Sequence, residues 1–442
     1  MRIAFVGLSG VRACDADLLR LGLSLPGFVA RAGEIAAMPS LGLLMLAAVT
    51  PPGHELAYFE VPPGTPEPDA LRGFDLVAIG TLTAQAPQAY AVADRLRAAG
   101  VTVAIGGLHA TAVPDEAALH ADHVVVGEGE VAWPLLVAEV ERGGAGRIWR
   151  GTELPMVDLA SLPAPRYDLL PGGHRRLTVQ TTRGCPWRCG FCASTVMFGR
   201  PYRKRPVAHV ARDVAAARAV APEAFIELAD DNTFVDKKWG KDLCRAIEPL
   251  GVEWFTPTDL SVADDPELLR LMRRAGCRQV LIGLESPSAD ALDGVEARSD
   301  FKRRVAGRHA EAVRRIQGAG ITVNGCFVLG FDQDTPETFA RVADYAEALG
   351  LYDVQVTVLT PFPGTPLYEE MLRDGRLTAP GAWERCTLFD VNFRPAGMEA
   401  DQLRDGLRGL VADLYSAERT ARRRRAFREQ IVAGRRAMAE AA

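Results

Sequence analysis

The sequence predicts an α/β protein of two modules: a Rossmann-like, doubly wound parallel sheet, then a partial (βα)6 barrel with a mostly helical C-terminal region. Three observations carry this. Short apolar runs alternate with helix-period segments through residues 1–142; a Gly- and Pro-rich stretch over residues 143–176 interrupts them; and the alternation resumes six times over residues 177–375. A chain of 442 residues is also too long for one ordinary domain.

In the first module, strands are expected at residues 3–7, 55–60, 76–80, 101–106 and 123–126. Helices between them include Leu41, Leu44, Met45 and Ala48 behind an expected N-cap at Ser40, and Trp133, Leu136, Val137 and Val140. Apolar strands separated by amphipathic helices are those of a parallel sheet covered on both faces, which binds ligands at the carboxyl ends of its strands. Those ends carry Thr81 and Thr83, the run from Gly106 through Gly107, Leu108 and His109 to Thr111, and the Gly-Glu-Gly-Glu run 127–130. Glycines there allow close approach of a large ligand, or simply tight strand-to-helix turns.

Residues 143–176, with Gly143-Gly144, Pro163, Pro165 and Gly172-Gly173, read as an interdomain linker. Beyond it, strands are expected at residues 177–182, 225–229, 252–257, 279–284, 321–329 and 352–359, with helices near 206–220, 236–249, 264–275, 303–319 and 335–349. Right-handed crossovers between six such strands give an open barrel whose chemistry gathers at the strands' carboxyl ends. The region 376–442 is expected to be mostly helical. From Asp401 onward it carries ten arginines against six acids, including Arg422 to Arg425 in succession, which read first as a solvated helix face.

The composition, 48% hydrophobic and 24% charged, is that of a soluble globular protein, and a net charge of −5 gives no argument for nucleic acid or an anionic membrane. The N-terminus runs directly into a strand without a signal-peptide pattern, and the apolar run 41–49 is too short to span a bilayer. Eight cysteines in a chain of this length are sparse, so a cytoplasmic protein without transmembrane segments is expected.

Three of those cysteines are not scattered. Cys185, Cys189 and Cys192 have the spacing C-x3-C-x2-C, with Phe191 before the third. Three thiolates on one short loop hold three irons of a cubane cluster and leave the fourth open to a substrate or cofactor. A structural zinc site would need a fourth ligand, for which only His174 or His209 are at hand.

The string RGCPWRCGFCAS resembles the signature of the radical SAM superfamily. An α/β domain with Pro39-Ser40-Leu41-Gly42, GGLHAT and GEGE ahead of it resembles the cobalamin-binding domain of the B12-dependent members. The resemblance covers Met1 to about residue 390, and the strings around GLES and LTPFPGTPLY are most similar to the branch containing hopanoid methylases. It implies a [4Fe-4S] cluster on Cys185, Cys189 and Cys192. It implies S-adenosylmethionine held by Phe191, Asp230, Asp231, Glu285, Asn324 and Leu359, and cobalamin held by Leu41, Gly42, Thr81, Gly106, Gly107, His109 and Glu128. The D-x-H-x-x-G motif that supplies a histidine to cobalt in methionine-synthase-like domains is missing. The implied activity is reductive cleavage of S-adenosylmethionine to a 5′-deoxyadenosyl radical and cobalamin-dependent methylation of an unactivated carbon. The substrate would be a small molecule or natural product, and the electron donor a flavodoxin or ferredoxin. Non-methylating chemistry (cyclisation, ring contraction, oxidation, transfer of another group) and a non-catalytic corrinoid or iron-sulfur sensor are the alternatives.

Overall fold

A computed structural model of the chain describes residues 1–24, 36–199 and 201–440. The first sheet contains β1 (Arg2–Leu8), β2 (Glu55–Val61), β3 (Leu76–Gly80), β4 (Thr102–Gly106), β5 (His123–Val126) and β6 (Ile148–Arg150), all parallel, in the order β2-β1-β3-β4-β5-β6. The order reverses at β1, so a crevice opens above the carboxyl ends of β1 and β3. The five expected strands are present. The sixth, β6, lies in the stretch expected to be linker; only three residues long, it is held by Trp149, which is 4% exposed. The linker is therefore shorter than its Gly and Pro content suggests.

The helix Leu41–Val49 is almost wholly apolar and buries Leu43, Leu44, Met45 and Ala47. Ser40 does not cap it through its side chain; instead its backbone N–H donates to the Tyr58 hydroxyl at 2.8 Å.

The second sheet has β7 (Arg176–Val179), β10 (Phe225–Leu228), β11 (Trp254–Pro257), β12 (Cys277–Glu285), β13 (Thr322–Leu329) and β14 (Asp353–Val358). They pair in parallel and in strictly consecutive order, so every crossover runs the same way and the helices cover one face. The six expected barrel strands are thus all found, and β7 and β14 remain as two edges of an open (βα)6 barrel. Two short strands, β8 (Thr182–Arg183) and β9 (Arg203–Lys204), pair antiparallel and close the base of the cysteine loop. Leu43, Leu44, Trp133 and Leu136 of the first module belong to the same continuous apolar core as Leu177, Val179 and Ile226 of the barrel.

The arginine-rich tail departs from the expectation of a solvated face. In the helix Ala417–Glu440, Arg419 and Arg422 converge on Glu347, Arg424 bonds Asp353 at 2.8 Å, and Arg423, 1% exposed, donates to the Leu414 carbonyl. An added Cβ at Gly434 would meet the Gly318 carbonyl oxygen at 2.5 Å, so this helix sits almost backbone to backbone on the helix His309–Gly318. Asp353 begins β14, so the tail fastens the amino end of the barrel, opposite the cysteines.

Candidate active site

The cysteine loop leaves β8 at Gly184, whose φ is +80° and whose Cβ would lie 2.6 Å from the Pro201 carbonyl oxygen; only glycine fits this turn. The loop is then pinned from several sides. Asp231 accepts from Gly184 N at 3.1 Å, Glu296 accepts from Arg188 N at 3.0 Å, Gly190 N donates to Val295 O at 3.0 Å, and Leu367 N donates to Gly190 O at 3.1 Å. Trp187 stacks on Phe301 at 3.9 Å between centroids and donates through Nε1 to Asp259.

None of the eight cysteines is in a disulfide. Burial pushes the Cys185 thiol up to about 11 and the Cys189 thiol up to about 12. Thiols so placed become thiolates on binding a cation, and the charge of Cys192 acts on both Cys185 and Cys189, a close three-thiol set that fits a cluster with one open iron.

Glu296 is the main fixture of this loop. It is 1% exposed and accepts from Arg188 N, Arg298 N, Ser299 N, Ser299 Oγ at 2.6 Å and Phe301 N. Burial disfavours its charge, but these donors outweigh burial and hold its carboxyl at about 2 against an ordinary 4.5. A depressed carboxylate pKa means that Glu296 stabilises the fold fully above pH 4.5, and that this contribution is lost as pH falls from 4.5 towards 2. In cluster-free protein, the urea midpoint is expected to fall over that interval, and to fall less in Glu296→Gln; parallel profiles would contradict this.

At the carboxyl ends of the barrel strands, Asp230 is 9% exposed and saturated by protein donors. Thr181 N and Thr182 N donate to Oδ1 at 2.8 and 2.9 Å, and Thr233 Oγ1 and Thr181 Oγ1 donate to Oδ2. It fastens the start of the cysteine loop and has no capacity left for S-adenosylmethionine. Asp231, raised to about 6 by burial and by Asp230 beside it, faces the loop. Glu285 ends β12 with φ +63° at a register shift, a strained conformation for a residue other than glycine. The bulge aims its carboxylate at Lys302, whose Nζ donates to Glu285 Oε1 at 2.6 Å and Gly283 O at 2.8 Å. Asn324 is not at this end: the third residue of β13, in register with Asp353 at the start of β14, it is 4% exposed with Oδ1 unpartnered. Phe191 packs against Phe331 at 6.2 Å. Leu359, 4% exposed, lies in the apolar core, so its side chain leaves the expected cofactor set.

Across from the loop, a cavity of about 520 Å³ opens above the strand ends of the first sheet. It is lined by the expected Leu41, Gly42, Thr81, Gly106, Gly107 and Glu128. Glu130 of the expected Gly-Glu-Gly-Glu run lines it too, as do residues that sequence reasoning missed: Tyr58 and Glu60 from the first module, and Arg183, Ser194, Met197 and Phe198 from the barrel side. A buried Glu60 Oε1 has no partner, an orphaned polar atom on the wall of a mostly apolar cavity, as a large amide-fringed ligand requires. Gly107 has φ +101° and approaches Thr81 so closely that a Cβ would lie 2.6 Å from its carbonyl oxygen, keeping the floor flat.

His109 does not join this set. It is fully buried in the neighbouring core, with Nε2 2.9 Å from the Tyr90 hydroxyl, 3.6 Å from Glu116, and its ring 5.2 Å from that of Trp383. Its helix, Leu108–Ala112, turns the imidazole away from the crevice once Gly107 has made the turn.

Comparison with known proteins agrees with this layout. Residues 179–346 match the Radical SAM superfamily and residues 36–137 match the B12 binding domain. The chain is 28% identical over 393 residues to the bacteriochlorophyllide d C-12(1)-methyltransferase of Chlorobaculum tepidum, covering 88% of this chain and 84% of that protein. It is 28% identical over 360 residues to the hopanoid C-2 methylase of Rhodopseudomonas palustris, covering 78% and 66%. In fold it is similar to the radical S-adenosylmethionine methyltransferase TsrM of Kitasatospora setae, solved with cobalamin and a [4Fe-4S] cluster, with a TM-score of 0.63, 17% identity and coverage of 94% and 88%. The chain therefore carries a B12 binding domain followed by a Radical SAM domain, and the open barrel of the second holds the three-cysteine loop.

Proposed function

We propose that the protein is a cobalamin-dependent radical SAM C-methyltransferase acting on a small molecule with an unactivated carbon. One observation carries the reading: the cavity above the first sheet and the cysteine loop share a wall, since Arg183, Ser194 and Phe198, which flank the cysteines, line that cavity. When bound, the cluster with S-adenosylmethionine supplies the oxidant that removes a hydrogen atom, and the corrinoid supplies the methyl group.

The chain's own residues do the rest. Cys185, Cys189 and Cys192 would hold the cluster, and the Trp187–Phe301 stack braces the loop between the first two of them. Asp231 and Glu285 with Lys302 stand at the strand ends where the polar groups of S-adenosylmethionine need partners. Glu60, Gly42 and Gly107 shape the corrinoid cavity. The reductant is an external flavodoxin or ferredoxin.

The test is anaerobic reconstitution with iron, sulfide and hydroxocobalamin, followed by reduction in the presence of S-adenosylmethionine and assay of 5′-deoxyadenosine. A protein that makes none is not a radical enzyme. One that makes it without retaining corrinoid methylates by no corrinoid route. A variant isolates the cavity: an added Cβ at Gly42 meets nothing within 4 Å, so Gly42→Trp is expected to fill the cavity without disturbing its neighbours. Corrinoid retention after desalting should fall roughly tenfold or more, with a stability change under about 1 kcal/mol.

A further inference from the structure

Between the corrinoid cavity and the cysteine loop stands a mostly buried group of four charges, whose side chains are 5–15% exposed. Arg183 is 4% exposed and every side of its guanidinium is engaged: Nε donates to Gln180 Oε1 at 2.7 Å, Nη1 to Glu128 Oε1 at 2.6 Å, and Nη2 to Glu130 Oε1. Arg203 completes the group, donating to Glu128 Oε1 at 2.7 Å and Oε2 at 3.0 Å. The two carboxylates come from the first module and the two arginines from the β8–β9 ladder that closes the cysteine loop. The Arg183 guanidinium also lies 5.3 Å over the ring of Phe198, at the far end of the same loop.

We propose that this Arg183–Arg203–Glu128–Glu130 group is an interdomain positioning clamp that sets the approach of the corrinoid to the cluster, and that Glu128 acts through the arginines rather than on the corrinoid. This rests on the proposed function. The physical argument is one of capacity and location. Both oxygens of Glu128 are taken by forked arginine donors, leaving it a poor ligand for amide groups. Arg183 is two residues before Cys185, so any shift of the Glu128–Glu130 loop is transmitted to the first cluster ligand within one dipeptide. The charges balance within the group, two against two, so removing one strands a buried partner.

The test uses full-length, cluster-loaded protein carrying Glu128→Gln, Glu130→Gln or Arg183→Lys, the last keeping charge while losing the fork. Without corrinoid, amide exchange over residues 184–198 is expected to quicken roughly tenfold or more in the two glutamine variants, although the substitutions lie in the other domain. Unchanged exchange in both overturns the clamp. With hydroxocobalamin bound and reduced to cobalt(II), the magnetic interaction between cobalt and the reduced cluster, read by electron paramagnetic resonance, is expected to broaden into a distribution in all three variants at undiminished corrinoid stoichiometry. An interaction identical to wild type overturns it, as does loss of corrinoid in Glu128→Gln with loop exchange unchanged, which would make Glu128 a direct ligand. If the wild type itself retains no corrinoid, the methyltransferase reading falls, and the exchange measurement still decides the clamp.

Discussion

Cys189→Ala is expected to abolish 5′-deoxyadenosine formation altogether while leaving a folded protein. Cys189 is the middle ligand of the loop, and its removal leaves two thiolates, too few to hold a cubane with one open iron. The loop itself does not depend on the thiol. Gly190 N still donates to Val295 O, Cys192 N to the carbonyl of residue 189, and Glu296 still gathers the backbone of Arg188, Arg298 and Ser299. The measurement is iron content after anaerobic reconstitution together with 5′-deoxyadenosine after dithionite reduction. Product at the wild-type level from the variant would remove the cluster from the mechanism.

Asp230→Ala is expected to be the most destabilising single substitution near the site, by about 3–5 kcal/mol, because it strands buried donors that the carboxylate now satisfies. Thr181 N, Thr182 N and the hydroxyls of Thr181 and Thr233 converge on it, and Thr181, Thr182 and Thr233 are all essentially inaccessible to water. The apparent melting temperature at fixed scan rate should drop by roughly 3–5 °C. Asp231→Ala, a residue away but with one backbone partner at 3.1 Å, should lower it far less. Comparable losses from the two would show that Asp230 is not the fastening point of the loop.

How much of this was legible beforehand follows from what is local in a sequence. The eleven expected strands rest on apolar runs and turn residues a few positions apart, and all eleven are present. The cysteine spacing is local too. Thr81, Gly106 and Gly107 could be named because a parallel sheet puts its binding edge at strand ends, wherever the strands pair, whereas Gly42, inside a helix, could be named only through the resemblance of its Pro39-Ser40-Leu41-Gly42 string.

What was not legible is partner choice across long separations. Glu128 reads as a ligand-edge carboxylate until Arg183, 55 residues away, is seen to occupy it. Glu285 carries a family signature, yet its partner Lys302 lies in a charged stretch with nothing to single it out. His109 sits in a glycine-rich turn that suggests exposure, and only the packing of Tyr90 and Trp383 shows that the imidazole turns inward. The arginine tail reads as solvated because Glu347 and Asp353, the groups that bind it, belong to the barrel. Charge runs declare composition; their partners are fixed by topology.

In the proposed methyltransferase one corrinoid sits across a shared wall from the cluster. The most direct test of that placement is the visible spectrum of cluster-loaded wild-type protein after incubation with hydroxocobalamin and desalting. One corrinoid retained per chain is expected. Desalted protein with an intact cluster and no corrinoid absorption would contradict it.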